Sequence, residues 1–394
     1  MTLEEMDKKY VLQTYARNYV NFKSGQNATL FDEDGKDYID FTSGIGVASV
    51  GHGNAQVAAA IYEQVSHLTH TSNLFLIEPQ AKLAKKMVEL SGLDMAVFFG
   101  NSGAEANEGA IKIARKYGQN KFKNKRFKVL TLEHSFHGRT ITTIKATGQD
   151  SFHQEAFSPY PAGFEHKSQI KDIYSAIDDE TVGVMIELIQ GEGGVQAFDK
   201  KEVQDLAAFL RSKELLLIID EVQSGVFRSG EFLSAKLYGI EPDIVTLAKG
   251  LAGGVPIGAV MTKHKDVFKT GDHGSTFGGN FLSTRAGLEV LDILESYYKE
   301  GFLGASIEYF DKKLQEQVKN HSDIFLATTG IGFMRGLQCA NGELVAKIIK
   351  AGFANGVLVL KAGRNTLRFL PPLTITKEEI DEGFARFEKA LGSI

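Results

Sequence analysis

Short, nearly unbroken apolar runs recur through the middle of the chain, at Met95–Phe99, Phe127–Leu132, Val182–Ile189, Leu215–Ile219, Ile244–Leu247 and Ile257–Met261. A strand that is apolar at almost every position is buried on both faces, so something must cover each side of its sheet. Helical patterns lie between several of these runs. Ala106, Ala110, Ile113, Ala114 and Tyr117 share one helical face, and Val203, Leu206, Ala207 and Leu210 share another. Strand, helix, strand in that order predicts an α/β fold with a mostly parallel sheet, spanning about Gly46 to Asn280.

The two ends differ from this middle. Residues 28–41 predict a hairpin turning at Asp34-Gly35, residues 284–319 are amphipathic and helical, and a last helix begins at Lys377. The expected organisation is a large domain of residues 46–280 and a smaller α/β domain built from 1–45 and 281–394.

Lys plus Arg total 44 and Asp plus Glu 49, for a net charge of −5, so no basic excess is available to neutralise a nucleic-acid backbone. No apolar stretch approaches the length of a membrane span. A single cysteine, Cys339, cannot form an intrachain disulfide, and the first residues lack the apolar core of a signal peptide. A cytoplasmic protein is expected.

Five segments carry possible chemistry. Gly100-Asn101-Ser102-Gly103-Ala104-Glu105 follows a strand; Ser102 and Glu105 have capping-box spacing, and small residues at 102–104 let backbone N–H groups approach a phosphate. An ordinary capped helix would look the same, but the segment is neither a P-loop nor a nucleophile elbow. Asp220-Glu221 ends a strand, where a carboxylate can cap a helix, hold Mg²⁺ or pair with a protonated heterocyclic nitrogen. Lys249 ends another strand before a Gly-rich stretch; in an apolar site such a lysine becomes a Schiff-base nucleophile, and otherwise it reaches out to solvent. Ser135-Phe136-His137-Gly138-Arg139-Thr140 offers a flat ring, an imidazole and a guanidinium. His273-Gly274-Ser275-Thr276-Phe277-Gly278-Gly279-Asn280 is either a tight turn or a second phosphate clamp. His67-x-x-His70 and His134-x-x-His137 have no cysteine pair or HExxH beside them, so no metal is expected and His52, His67 and His70 are read as structural.

In this order the segments resemble the class III (ornithine-type) aminotransferases that use pyridoxal 5'-phosphate (PLP), most of all the acetylornithine-type members. The resemblance runs nearly end to end, through DEDGKDYIDFTSGIGV, FFGNSGAEANE, HSFHGRT, IQGEGGV, IIDEVQSG, LAKGLAGG, GSTFGGN, RGLQ and LRFLPPL. It implies the type I PLP-transferase fold and gives each position a role. Lys249 would hold the PLP aldehyde and move the substrate proton. Asp220 would pair with the pyridine nitrogen, Gln223 would donate to the phenolic oxygen, and Phe136 would stack on the ring with Val222 among the ring contacts. Ser102, Gly103 and Ala104 would bind phosphate, joined by Thr276 from the second subunit of a homodimer with composite sites. Arg139 and Arg368 would take carboxylates, Ser275 would touch substrate, and Glu192 would cover Arg368 until 2-oxoglutarate enters.

The reaction so implied is ping-pong transamination of N2-acetylornithine with 2-oxoglutarate, as in arginine biosynthesis. The alternatives are another ω-amine donor (ornithine, N-succinylornithine, N-succinyl-diaminopimelate or 4-aminobutyrate), a glutamate semialdehyde mutase, or an inactive PLP-binding protein. Two positions depart from the family pattern. Leu188 stands where Glu-Pro-Ile-Gln-Gly-Glu has proline, which is expected to alter how Glu192 is presented, and Gly51-His52-Gly53-Asn54-Ala55 lacks the His-Pro usual after the Gly-His pair.

Overall fold

The computed structural model describes residues 1–123 and 125–394. Its strands in chain order are β1 (Phe22–Gln26), β2 (Thr29–Asp32), β3 (Asp37–Asp40), β4 (Ala96–Gly100), β5 (Lys128–Leu132), β6 (Phe164–Lys167), β7 (Thr181–Ile186), β8 (Ile189–Gln190), β9 (Gln196–Ala197), β10 (Leu216–Asp220), β11 (Ile244–Leu247), β12 (Gly258–Thr262), β13 (Phe325–Ile331), β14 (Met334–Cys339), β15 (Val357–Leu358), β16 (Leu360–Ala362) and β17 (Thr366–Phe369).

The apolar runs form a seven-stranded sheet in the order β4-β12-β11-β10-β7-β5-β6. Every residue of β7, β10, β11 and β12 is buried, which is why those runs carry almost no polar side chains. The β10/β11, β10/β7, β5/β7 and β5/β6 pairs are parallel. Only β12 runs against both its neighbours, β11 and β4. Two reversals cancel, so β4 points the same way as β11. The carboxyl ends of β4, β5, β7, β10 and β11 therefore lie along one sheet edge, and the chain entering β12 arrives at that edge too. In open α/β sheets this is the edge where ligands bind.

One face of the sheet packs on the helix Gly103–Phe122. Its buried Ala110, Ile111, Ile113 and Ala114 meet Val129, Val182, Leu216, Ile218, Ile244 and Val260. The opposite face joins the main core, where Val203, Leu206 and Leu210 of the helix Lys200–Ser212 are fully buried.

The predicted hairpin is present: β2 and β3 pair antiparallel, and Gly35 takes a φ of 83° in their turn. They continue as a four-stranded sheet, β1-β2-β3-β15, in which β15 pairs parallel with β3 and so ties the first forty residues to the C-terminal third. A second four-stranded sheet, β13-β14-β17-β16, lies wholly in that third. The long helical region is two helices, Phe281–Lys299 and Phe302–Asn320, divided at Gly301 with φ 79°. An aromatic cluster joins these parts: Phe41 meets Phe310 edge-on at 5.3 Å and Phe384 at 5.4 Å, while Phe369 stands 6.1 Å from both Phe41 and Phe310. Cys339 ends β14 with only 1% exposure, and burial pushes its thiol up to about 12. No helix among the described residues is long and apolar enough to cross a membrane.

Candidate active site

At the carboxyl edge of the large sheet lies a cavity of about 350 Å³. Several strand ends contribute to it. The β4 end gives Ser102, Gly103 and Ala104; the segment after β5 gives Phe136 and Arg139; the β10 end gives Asp220, Val222 and Gln223; and β11 leads to Lys249. These nine residues, dispersed in sequence, line one space.

The helix starting at Gly103 supplies the first wall. Ser102 is its N-cap, and its Oγ accepts from the Glu105 N–H at 3.2 Å. The carboxylate of Glu105 does not reach back to the Ser102 N–H as a full capping box would. It accepts instead from the Asn101 N–H at 2.5 Å and from Asn101 Nδ2 at 2.8 Å. Uncommitted N–H groups of the first helical turn give an anion a partially positive site. Gly103 sits so close to Val222 that a Cβ would lie 2.7 Å from its Cγ1.

Asp220 is 3% exposed and richly hydrogen-bonded. Its Oδ2 accepts from Asn107 Nδ2 at 2.8 Å and faces His137 Nδ1 at 2.8 Å, while Oδ1 accepts from the Val222 N–H at 3.0 Å. A carboxylate only accepts, so Nδ1 of His137 carries the proton in that pair. Asn107 and His137 were not singled out as partners of Asp220 in the sequence; the two bonds join residues 113 and 83 positions apart.

Glu187 is a further buried acid of the cavity, placed where β7 ends. It accepts from the Phe136 N–H at 2.9 Å and the Gly191 N–H at 3.3 Å. Burial pushes its carboxyl up to about 7; His137 opposes the rise and Asp220 adds to it.

Lys249 opens a short turn, Lys249–Ala252, with a positive φ of 38° that a non-glycine residue rarely adopts. Burial holds its ammonium pKa below the usual lysine value, and the Arg368 cation acts in the same direction; Glu192, Asp220 and Glu187 pull it back up. A lysine so placed has more of its neutral, nucleophilic form.

Arg368 on β17 is 3% exposed. It donates to Glu192 Oε1 at 2.6 Å and to Gln223 Oε1 at 3.1 Å, which links the arginine and Glu192 to the cavity through a residue of its lining. With Gln223 Oε1 so engaged, its Nε2 is left as a donor. Leu188 does not prevent the Glu192 contact. It is fully buried, and its carbonyl accepts from the Phe198 N–H and the Tyr238 hydroxyl, both at 3.1 Å. Asn54 caps the helix Ala55–His67, accepting from the N–H groups of Gln56 and Val57 at 3.1 Å.

Ser275 and Thr276 are not part of the cavity lining. Ser275 Oγ accepts from Asn101 Nδ2 at 3.0 Å, and Thr276 is exposed. The histidines read as structural make local contacts: His52 Nε2 lies 2.8 Å from Asp40, His67 Nδ1 is 2.8 Å from the Glu63 carbonyl, and His70 packs beside Phe277 at 5.5 Å.

Comparisons with known proteins agree with this arrangement. A family model for class-III aminotransferases matches residues 11–391. An acetylornithine aminotransferase of Wolinella succinogenes is 56% identical over 392 residues, covering 99% of this chain and 100% of the relative. The protein of that name from Methanocaldococcus jannaschii is 43% identical over 383 residues, covering 96% and 94%. Among solved structures, ornithine aminotransferase from Toxoplasma gondii superposes with a TM-score of 0.92 at 32% identity, covering 100% of this chain and 96% of that one. N-acetylornithine aminotransferase from Stenotrophomonas maltophilia gives 0.84 at 30% identity, covering 99% of each chain. With its sheet edge, its half-buried lysine and buried acid, and these relatives, the chain belongs to the class-III aminotransferases.

Proposed function

We propose that the chain transfers the δ-amino group of N2-acetylornithine to 2-oxoglutarate, with PLP as its cofactor. The donor follows from the names of the relatives above. The observation that carries the chemistry is the meeting of Lys249 and Asp220 in one cavity whose wall is a helix N-terminus.

The residues present fit PLP. The cavity combines a lysine of lowered pKa, an acid held in place by Asn107 and His137, a flat ring at Phe136, an apolar contact at Val222 and free N–H groups near Ser102. The close approach of Gly103 to Val222 brings the phosphate wall and the ring wall together. When bound, PLP supplies an aldehyde to receive the amino group and a ring that withdraws electrons from the reacting carbon.

The chain's own residues do the rest. Lys249 Nζ would hold the aldehyde between turnovers and would carry the proton taken from the donor's carbon. Asp220 keeps the ring nitrogen protonated, and Gln223 Nε2 donates to the phenolic oxygen. Ser102, Gly103 and Ala104 bind the phosphate through the helix start. Arg139 binds the donor's α-carboxylate by a bidentate contact. Glu192 covers Arg368 in that half-reaction and turns aside when 2-oxoglutarate brings a second carboxylate. A buried arginine left uncovered would favour dicarboxylates in both halves.

We further propose a homodimer with composite sites. Thr276 lies outside its own chain's cavity, on a loop tied to Asn73, whose Nδ2 donates to the carbonyls of Ser275 at 3.1 Å and Gly278 at 2.8 Å. The same surface exposes Leu74, Phe75, Leu76 and Phe277 at 88%, 69%, 100% and 62%. That much apolar area marks a contact surface, and a twofold pairing would bring Thr276 to the partner's phosphate. Residues 46–280 would form the cofactor domain, since the large sheet lies within them, with 1–45 and 281–394 as the smaller domain. A cytoplasmic location belongs to this reading.

The test is a donor panel with 2-oxoglutarate. N2-acetylornithine should exceed ornithine and 4-aminobutyrate in kcat/KM by about tenfold or more, because ornithine brings an α-ammonium that the site leaves unpaired and 4-aminobutyrate lacks the α-carboxylate for Arg139. Borohydride reduction of the holoenzyme and peptide mapping should put the pyridoxyl label on Lys249. Preference for ornithine would refute the donor, and a label elsewhere would refute the lysine.

A further inference from the structure

Arg139 is held unlike the other arginine of the site. Arg368 is fixed by Glu192 and Gln223. Among the described residues the exposed Arg139 guanidinium has neither an ion pair nor a hydrogen bond; its contacts are two aromatic rings. Its Cζ lies 4.0 Å from the centroid of Phe152 and 5.6 Å from that of Phe136. The two rings meet edge to face, 5.9 Å apart at 70°.

Phe152 is itself well supported. It ends a short 3-10 turn, Asp150–Phe152, in a loop pinned on one side to the segment that carries Phe136 and Arg139 and on the other to the helix Ile141–Ala146 that follows it. Gln149 Nε2 donates to the Ser135 carbonyl at 2.9 Å, and His153 Nε2 lies 3.0 Å from the Ile144 carbonyl. The His153 ring stacks on His166 at 5.3 Å and 27°. A guanidinium lying on an aromatic face keeps its N–H edge free, because the ring takes only its flat side.

We propose that Phe152 is a specificity-determining positioning residue, whose ring face orients Arg139 so that the guanidinium edge is presented to the donor's α-carboxylate. This rests on the reading of Arg139 as the carboxylate clamp. It explains how an exposed arginine can be preorganised without a carboxylate partner that an incoming substrate would have to displace. Phe152 touches neither cofactor nor reacting atoms in this scheme; it acts through Arg139.

The experiment compares wild type, Phe152→Leu, Phe152→Tyr and Arg139→Lys as holoenzymes. Calorimetric titration with N2-acetylnorvaline, which has the blocked amine and the carboxylate but no distal amine, reads carboxylate binding without turnover. Half-reaction kinetics are followed with N2-acetylornithine and with n-butylamine, which has no carboxylate. Phe152→Leu should weaken N2-acetylnorvaline and raise the KM for N2-acetylornithine roughly fivefold, the upper end for a cation–π contact at an exposed site. Its kcat and its n-butylamine kinetics should stay within about twofold, the scatter of surface substitutions. Phe152→Tyr keeps the ring face and should restore both. Equal losses with both amines would reduce Phe152 to a structural residue and overturn the proposal. If Arg139→Lys weakens N2-acetylnorvaline and Phe152→Leu does not, the proposal falls while the clamp stands. If Arg139→Lys is also silent, the clamp reading falls and the proposal with it.

Discussion

Asparagine at position 220 would offer one acceptor oxygen where Asp220 uses two. Oδ2 serves Asn107 and His137, and Oδ1 serves the Val222 N–H, so the new amide nitrogen must face a donor on one side or the other. Asp220→Asn should therefore slow the first half-reaction at least about 100-fold, comparable to losing one preorganised charge-stabilising contact. Single-turnover absorbance measures this, and a near-wild-type rate would remove Asp220 from its role. Glu187 makes a pH prediction. Folded, its carboxyl keeps its proton up to about 7, against an ordinary value of 4.5. Between those values the native state binds more protons than the unfolded chain, so this group's contribution falls as pH rises. Gln at this position does not titrate. The stability advantage of wild type over Glu187→Gln should thus shrink from pH 4.5 to 7, by up to about 3 kcal/mol. Denaturant unfolding of the cofactor-free protein at several pH values reads the slope; a constant difference would show that burial does not raise this carboxyl.

The helix Gly103–Phe122 depends on a contact that one methyl group would close. Gly103→Ala puts a Cβ against Val222, and φ is not the obstacle, since the glycine sits at a helix start. PLP affinity should drop about fivefold or more, an overpacking effect of ~1–3 kcal/mol, and the double variant with Val222→Ala should recover most of it. Equilibrium dialysis against PLP tests the pair. Among the elements, what the sequence revealed followed burial. The fully buried strands were legible as apolar runs because nothing else explains such runs. The edge strand β6, reading Phe-Glu-His-Lys and half-buried throughout, carries no such signal, and neither does β1 with Phe-Lys-Ser-Gly-Gln. Val182–Ile189 reads as one strand but bends after Ile186, and Ile189-Gln190 pairs separately with Gln196-Ala197. The residues now lining the cavity were legible because their motifs are compact in sequence. Asn107, His137 and Glu187 as a network around Asp220 were not, because only the assembled sheet brings them together.

At the scale of the whole molecule, the composite-site reading makes a mixing prediction. Lys249→Ala removes the lysine from a subunit's own cavity, and Thr276→Ala would remove a phosphate contact from its partner's. A heterodimer of the two would contain one intact site and one doubly impaired site. Random reassociation of equal amounts should thus add about a quarter of wild-type activity to whatever the Thr276→Ala homodimers retain, since half the dimers are mixed and each has one good site of two. No recovery would mean that Thr276 serves its own chain or none. Leu76→Glu, on the fully exposed side chain, should shift the sedimentation coefficient toward a monomer. These assembly questions can be pursued with optical probes because of Cys339. The chain's only sulfhydryl is sealed inside β14 and stays protonated far into alkaline solution. Maleimide dyes should pass it by at neutral pH. A cysteine introduced at Leu12, which is 84% exposed, would then be the sole reactive handle on the molecule, and energy transfer between two such labels would report the distance between the N-terminal segments of paired subunits.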